Sequence, residues 1–489
     1  MNDFTYDLIV IGSGPGGQKA AIQGAKLGKR VALIEKQTVV GGICTNFGTI
    51  PSKTLREAVL HLSGYRERSI YGSAYTIKET PTIDDLLFRA NHVMRHEIDV
   101  IRHQLARNGV ELINATAALI EPNLVAASTS SGQGQRILST EKIIIATGTK
   151  AAKDPSIPFD GQTILTSDDI LGLELIPKTL AVIGAGVIGC EYASIFATLG
   201  VRVTLVDKRD RLLPFIDNEI SDSLAYQLRQ QRVGLRFCEE VCNLESAQGN
   251  NGNEVMIKLA SGKTVVAVAA LFSVGRIGNT EDLNLEAVGL KTDDRGRLKV
   301  NGNYQTEVPN IYAVGDVIGF PSLASTSMEQ GRIAACNAFN HPYVSVPELF
   351  PYGIFTIPEI SMVGRTEEEL TKAGIPYEVG RATYREIARG QIIGDEIGIL
   401  KLLIHVETHK LLGVHILGEG ASELIHIGQA VMAHDGTVEY FINSVFNYPT
   451  LAECYKTAAF DGINRLHHYR PLNTDKATKA KSLSGVKAT

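Results

Sequence analysis

A chain of 489 residues is too long for one compact domain, and two to four are expected. With 44% hydrophobic and 21% charged residues and a formal net charge of -5, it carries no basic footprint for nucleic acid or an anionic membrane. Six cysteines over this length do not make a disulfide scaffold, so a reducing, cytoplasmic setting is expected.

The first elements are a strand, a turn, a helix and a second strand, in "YDLIVIGSGPGG", "QKAAIQGAKLG" and "KRVALIE". The opening apolar run lacks a basic leader and is cut short by glycines, so neither a signal peptide nor a membrane span is predicted. Short runs rich in Val and Ile around an Ala-rich helical stretch predict buried parallel strands with a crossover helix. A helix is predicted around 82–107, followed by strands ending in "KIIIATG", and "PSIPFDGQ" has the composition of a linker.

The opening pattern then returns in "TLAVIGAGVIGCEYASIFATLGVRVTLVD". With Gly12 set on Gly184 the two units stay in register, Glu35 and Asp207 each lying 23 residues on. Residues 254–275 alternate and predict antiparallel strands. Residues 346–470 change character and predict an α+β domain, and 471–489 has the composition of a disordered tail.

The glycines have separate duties. Gly12 permits the tight strand-to-helix turn, Gly14 lets a pyrophosphate approach the backbone, and Gly17 lets the helix pack against the sheet. Phosphates would sit at the helix N-terminus, where unpaired N–H groups and the dipole favour anions. Glu35 would accept hydrogen bonds from an adenosine ribose. Gly184, Gly186, Gly189 and Asp207 repeat the arrangement, so two dinucleotide sites are expected. Asp207 suits a ribose 2′-hydroxyl and hence NAD, whereas Lys208 and Arg209 suit the 2′-phosphate of NADP. A site accepting both is open, and so is the plainer reading of those cations as a solvated face.

From about residue 5 to 468 the chain resembles the FAD-dependent pyridine nucleotide–disulfide oxidoreductases. The resemblance rests on "GSGPGG", "GGICTNFGTIPSK", "ATG" at 146–148, "GAGVIGCE", "GRIGNT" and "PNIYAVGDV". It implies an α/β fold with two Rossmann-like domains, one for FAD and one for NAD(P), and a C-terminal α+β dimerisation domain. The implied boundaries are 1–155 and 280–345 for FAD, 156–279 for NAD(P) and 346–470 for dimerisation, in a homodimer or higher homo-oligomer. FAD would be held by Gly12, Gly14, Gly17, Glu35, Lys36, Gly42, Cys44, Thr49, Lys53, Thr147, Gly148 and Asp316, the last on the ribityl chain. Lys53, paired with Glu191, would lie beside the flavin N5 as the catalytic pair. The nicotinamide nucleotide would be held by Gly184, Gly186, Gly189, Asp207, Lys208, Arg209, Gly275 and Arg276.

Two departures from that family narrow the activity. Disulfide reductases carry Cys-x4-Cys before "PSK", but here the positions are Cys44 and Thr49. They also carry a His in "HPTxxE", and "FNYPTLAE" puts Tyr448 in its place while keeping Glu453. A thiol–disulfide relay needs both sulfurs and benefits from the base. The soluble (Si-specific) pyridine nucleotide transhydrogenase branch is similar in both respects. That resemblance implies reversible hydride transfer from NADPH to NAD through FAD, both nicotinamides using one site in turn.

The rivals are an NAD(P)H oxidase or quinone reductase, a lipoamide dehydrogenase-like enzyme, and a flavin-bearing sensor, against which the Lys53–Glu191 pair speaks. Cys44 is expected as an inherited packing residue, the alternative being a peroxidatic thiol. Cys238 and Cys242 are expected in the core. The histidines, His467 and His468 included, form no metal-ligand constellation, and no metal is expected.

Overall fold

Tyr6–Ile11 is the strand on which the N-terminal sheet is built. It pairs in parallel with Val31–Glu35 on one side and with the end of Gln135–Ile145 on the other. Glu111–Asn114 and Ile311–Ala313 extend the parallel set, and Thr116–Glu121 and Leu124–Ser128 join as antiparallel strands. The structure, a computed structural model, describes residues 4–129, 134–249, 252–343 and 349–468. The expected tail at 471–489 lies outside them.

Both faces of the first strand are covered, which is why its sequence is continuously apolar. Leu8 and Val10 pack with Ala20, Ala21, Ile101, Leu105, Ala334 and Ala335, supplied by the helices Pro15–Lys26, Ile83–Arg107 and Ala324–Ala338. Ile9 and Ile11 face Leu119, Val125, Leu138 and Leu285. The helix expected around 82–107 therefore spans Ile83–Arg107. It is started by a capping box in which Thr82 and Asp85 satisfy each other's backbone N–H.

The second sheet repeats the plan. Thr179–Ile183 lies between Arg202–Val206 and Ala269–Phe272, with Gly234–Arg236 and Ile164–Thr166 outside them, all parallel. The run at 254–275 is antiparallel only as far as Ala267: Gly252–Leu259 and Thr264–Ala267 form a meander with Val241–Gly249. Ala269–Phe272 instead returns to the parallel sheet, because its buried Ala270 and Leu271 fill the register beside Ala181 and Val182.

These two sheets belong to one compact unit, Met1–Tyr65, Thr76–Arg211 and Leu228–Pro347. The second unit is Arg66–Tyr75, Leu212–Gln227 and Glu348–Thr489. Its centre is a five-stranded antiparallel sheet in the order Tyr352–Ile354, Ile360–Gly364, Leu411–Leu417, Ile399–His405, Tyr377–Thr383. Ile425 and Val431 of the helix Ala421–Ala433, and Tyr455, Ala458 and Ala459 of the helix Glu453–His468, share its core. Among the described residues no helix is long and apolar enough to cross a membrane.

Candidate active site

The two glycine turns share the hydrogen bond that anchors each to its second strand. Gly12 N–H donates to the Ile34 carbonyl and Gly184 N–H to the Val206 carbonyl, each at 2.8 Å. Gly12 and Gly184 have φ of 101° and 106°, a region that glycine alone enters readily. A Cβ on Gly17 would stand 1.8 Å from the Gly12 carbonyl oxygen, and one on Gly189 1.9 Å from that of Gly184.

Gly14 and Gly186 differ from these. Their φ values, -64° and -80°, suit any residue, and a Cβ there would meet no protein atom within 4 Å. Nothing in the chain itself demands glycine at either position. Each stands at the N-cap of a helix, so the demand fits a ligand drawn close to the backbone.

Glu35 and Asp207 end the second strand of each unit and point back at the turn. Glu35 Oε2 accepts from Ser13 N at 2.9 Å and Ser13 Oγ at 2.6 Å, and Oε1 from Gln37 N at 2.9 Å. Asp207 Oδ2 accepts from Ala185 N at 2.5 Å and Oδ1 from Arg209 N at 2.8 Å. The Arg209 guanidinium then forks onto both oxygens, at 2.8 and 2.6 Å. Burial alone would raise the Asp207 carboxyl, but Arg209 and the two backbone N–H groups outweigh it and hold it below the usual range. Lys208 is exposed, as is Lys36, which pairs with Asp282 at 3.4 Å.

"GGICTNFGTIPSK" folds as a short helix, Gly42–Asn46, running into a longer one, Thr49–Leu62. The bend sets the Thr49 hydroxyl near the Cys44 thiol. Burial pushes the Cys44 thiol up, against the smaller opposing effects of Thr49 and Lys53, so it is protonated at neutral pH. One helical turn into the second helix, Lys53 Nζ reaches Glu191 at 2.7 and 2.9 Å. Glu191 lies on the helix Val187–Thr198 of the second glycine unit, with its side chain only 5% exposed. This ion pair joins the two glycine units.

The remaining expected residues gather on neighbouring turns. Arg276 bonds Thr149 Oγ1 at 2.9 Å, the Thr149 carbonyl at 3.1 Å and Asp168 at 3.0 Å. Gly275, beside it, has φ of 143°, and Gly148 carries φ of 66°. Asp316 accepts from Thr149 Oγ1 at 3.4 Å, and burial raises its carboxyl despite Arg276, Thr149 and Ser327. Thr147 Oγ1 is buried with no hydrogen-bond partner among the described residues. An orphaned hydroxyl, a half-buried carboxyl and an unobstructed glycine at a helix N-terminus fit FAD, the cofactor implied by the resemblance.

Ser13 is a residue that sequence reasoning missed. Fully buried, it bonds Glu35 and accepts from Gly41 N at 3.0 Å, tying the glycine turn to the segment before Cys44. Its place between two glycines, facing the strand-end acid, was the available signal. Cys238 and Cys242 are a correction: both are exposed, not core. Cys238 sits at φ 55° and a bulge lies between Val241 and Asn243, which breaks the alternation assumed for a regular strand. In the second unit Tyr448 is 75% exposed, and Glu453 Oε2 is buried without a partner among the described residues. Among those residues no group of three His, Cys, Asp or Glu could hold a metal.

Comparison with known proteins matches residues 6–331 to the pyridine nucleotide-disulphide oxidoreductase family and 350–459 to that family's dimerisation domain. The chain belongs to the pyridine nucleotide-disulphide oxidoreductase family. Within this family it is 52% identical to the soluble pyridine nucleotide transhydrogenase of Mycobacterium bovis (strain BCG / Pasteur 1173P2), over 96% of this chain and 98% of the relative. It is 48% identical to the protein of the same name from Colwellia psychrerythraea, over 95% and 99%. Among solved structures, the HOCl-induced flavoprotein disulfide reductase RclA from Escherichia coli is similar with a TM-score of 0.82 at 28% identity, covering 93% of this chain and 99% of that one. LpdA from Mycobacterium tuberculosis is similar with a TM-score of 0.84 at 26% identity, over the same shares.

Proposed function

We propose that this chain is a flavoprotein oxidoreductase that transfers hydride from NADPH to NAD+, giving NADP+ and NADH, reversibly. The observation that carries the reading is the Cys44–Thr49 contact: a hydroxyl stands where a disulfide reductase keeps its second sulfur. Relatives bearing the transhydrogenase name at about half identity support it. Residues 1–155 and 280–345 would hold FAD, 156–279 the nicotinamide nucleotides, and 346–470 would form a homodimer. A cytoplasmic setting accords with the chain's free cysteines.

Bound FAD supplies the redox chemistry, taking a hydride from one nicotinamide and returning it to the other. The chain's own residues bind, orient and tune. Gly14 leaves the backbone N–H groups at the head of Pro15–Lys26 open to the pyrophosphate, and Glu35 takes ribose hydroxyls. Asp316 and Thr147 supply the polar contacts further along. Lys53 would hold a positive charge beside the flavin, and Glu191, buried beside it, fixes its position. Gly186, Asp207, Lys208 and Arg209 take the nicotinamide dinucleotide.

The test is an anaerobic assay with NADPH and thio-NAD+, run beside an aerobic one recording oxygen. Formation of reduced thio-NAD matching NADPH loss, with little oxygen uptake, is expected. Oxygen uptake equal to NADPH oxidation would make the chain an oxidase, and rapid lipoamide reduction would make it a disulfide reductase.

A further inference from the structure

The two glycine units hold their acids in the same backbone cradle and diverge two residues beyond each acid. Two residues after Glu35 stands Gln37, which offers only its backbone N–H at 2.9 Å. Two residues after Asp207 stands Arg209, which offers its backbone N–H and also a two-pronged guanidinium. A carboxylate has about four acceptor positions. Ala185 N, Arg209 N, Arg209 Nε and Arg209 Nη2 fill all four on Asp207, whereas the bonds to Glu35 number three and leave one open. A ribose 2′-hydroxyl can donate to Asp207 only if the guanidinium first lets go. The backbone beneath is braced: Glu239 N–H donates to the Asp207 carbonyl at 3.1 Å and Cys238 N–H to that of Arg209 at 3.0 Å. Release is therefore a side-chain swing and not a loop movement.

We propose that Arg209 is the selector between the two nicotinamides, because it masks the acid that NAD+ needs while being the cation that NADP+ needs. NAD+ binds when the guanidinium yields Asp207 to the ribose hydroxyl, and NADP+ binds when the guanidinium turns from Asp207 to the 2′-phosphate. Each nucleotide breaks the same ion pair, so one site serves two ligands without strongly preferring either. Lys208, exposed and outside the pair, attracts the phosphate and masks nothing. This rests on the reading that residues 156–279 bind both nicotinamides.

The experiment is calorimetric titration of the oxidised, FAD-loaded protein with NAD+ and NADP+ separately. Arg209→Gln copies the first unit and should weaken NADP+ by at least about tenfold, the loss of a charge-assisted contact, while tightening NAD+ about threefold or more. Arg209→Lys keeps the charge but cannot fork onto both oxygens, so NADP+ should suffer less while NAD+ still tightens. Lys208→Ala should weaken NADP+ alone. If Arg209→Gln weakens NADP+ and leaves NAD+ unchanged or weaker, Arg209 is a simple phosphate contact and the masking idea is overturned. If both Arg209 variants lose both nucleotides, the pair is merely structural and the idea is again overturned. Failure of the underlying reading looks different: the unaltered protein would bind only one nucleotide, or both at once.

Discussion

Cys44 shows how much one neighbour decides. Its thiol is kept protonated by burial, and its neighbour across the bend is Thr49, which cannot form a disulfide. A disulfide reductase stores one electron pair in its sulfurs and another in its flavin, so this chain should store only the second. Anaerobic reduction should bleach the flavin fully with about one two-electron equivalent, and Cys44→Ser should keep most of the turnover. Arsenite, which captures neighbouring dithiols, should not inhibit the pre-reduced enzyme. Uptake of two equivalents, or a Cys44→Ser protein that retains flavin but not turnover, would place the sulfur in the chemistry.

At the level of elements, the second unit is pinned by a buried charge in an apolar strand. Lys401 is the lone cation in Ile399–His405, its side chain 1% exposed, and it reaches Asp217 at 2.8 Å and Glu219 at 3.0 Å, and also Glu367. Strand, loop and two helices therefore meet at one ammonium. Burial would lower Lys401, but the hydrogen bonds it donates to Asp217 and Glu367 carry it above its ordinary value. Burial would raise Asp217, yet His415 and Lys401 bring it down, and Glu219 is lowered by Arg381 and Lys401 against the same burial effect. Depressed carboxyls stabilise the fold above their unfolded values, about 3.9 and 4.3, and lose that contribution as pH falls through the folded ones. Raised Lys401 stabilises below about 10.4 and loses its contribution as pH climbs past its folded value. Lys401→Met strands the buried Asp217 carboxylate beside the half-buried Glu219 and Glu367, and should cost about 3–5 kcal/mol at pH 7, shrinking below about pH 4 as Asp217 protonates. Urea unfolding of the full chain against pH reads both effects; a loss under about 1 kcal/mol, or one that does not vary with pH, would mean the cluster adds little to stability.

Across the whole molecule, what the sequence disclosed was local and what it hid was assembled from distant parts. Gly12, Gly17 and their counterparts are each required by an atom within a few residues or by the adjoining strand, so the twin turns could be found from spacing alone. Thr49 was visible for the same reason. The exposure of Cys238 and Cys242 was not, because the chain leaves one sheet at Arg236 and enters another at Val241, and no periodicity survives that crossing. The apolar run Ala269–Phe272 carries no mark of which sheet it will join, and Lys401 finds Asp217 184 residues away. The doubled unit was legible, and it fixes the kinetics. If one of two dinucleotide sites holds FAD, NADPH and NAD+ must take turns in the other, and the first product must leave before the second substrate enters. Initial rates with NADPH varied at several fixed thio-NAD+ concentrations should then give parallel double-reciprocal lines. NADP+ should compete with thio-NAD+ for the reduced enzyme. Lines that intersect would require both nicotinamides on one subunit together, a second nicotinamide site that neither glycine turn supplies, and the shared-site account would fall.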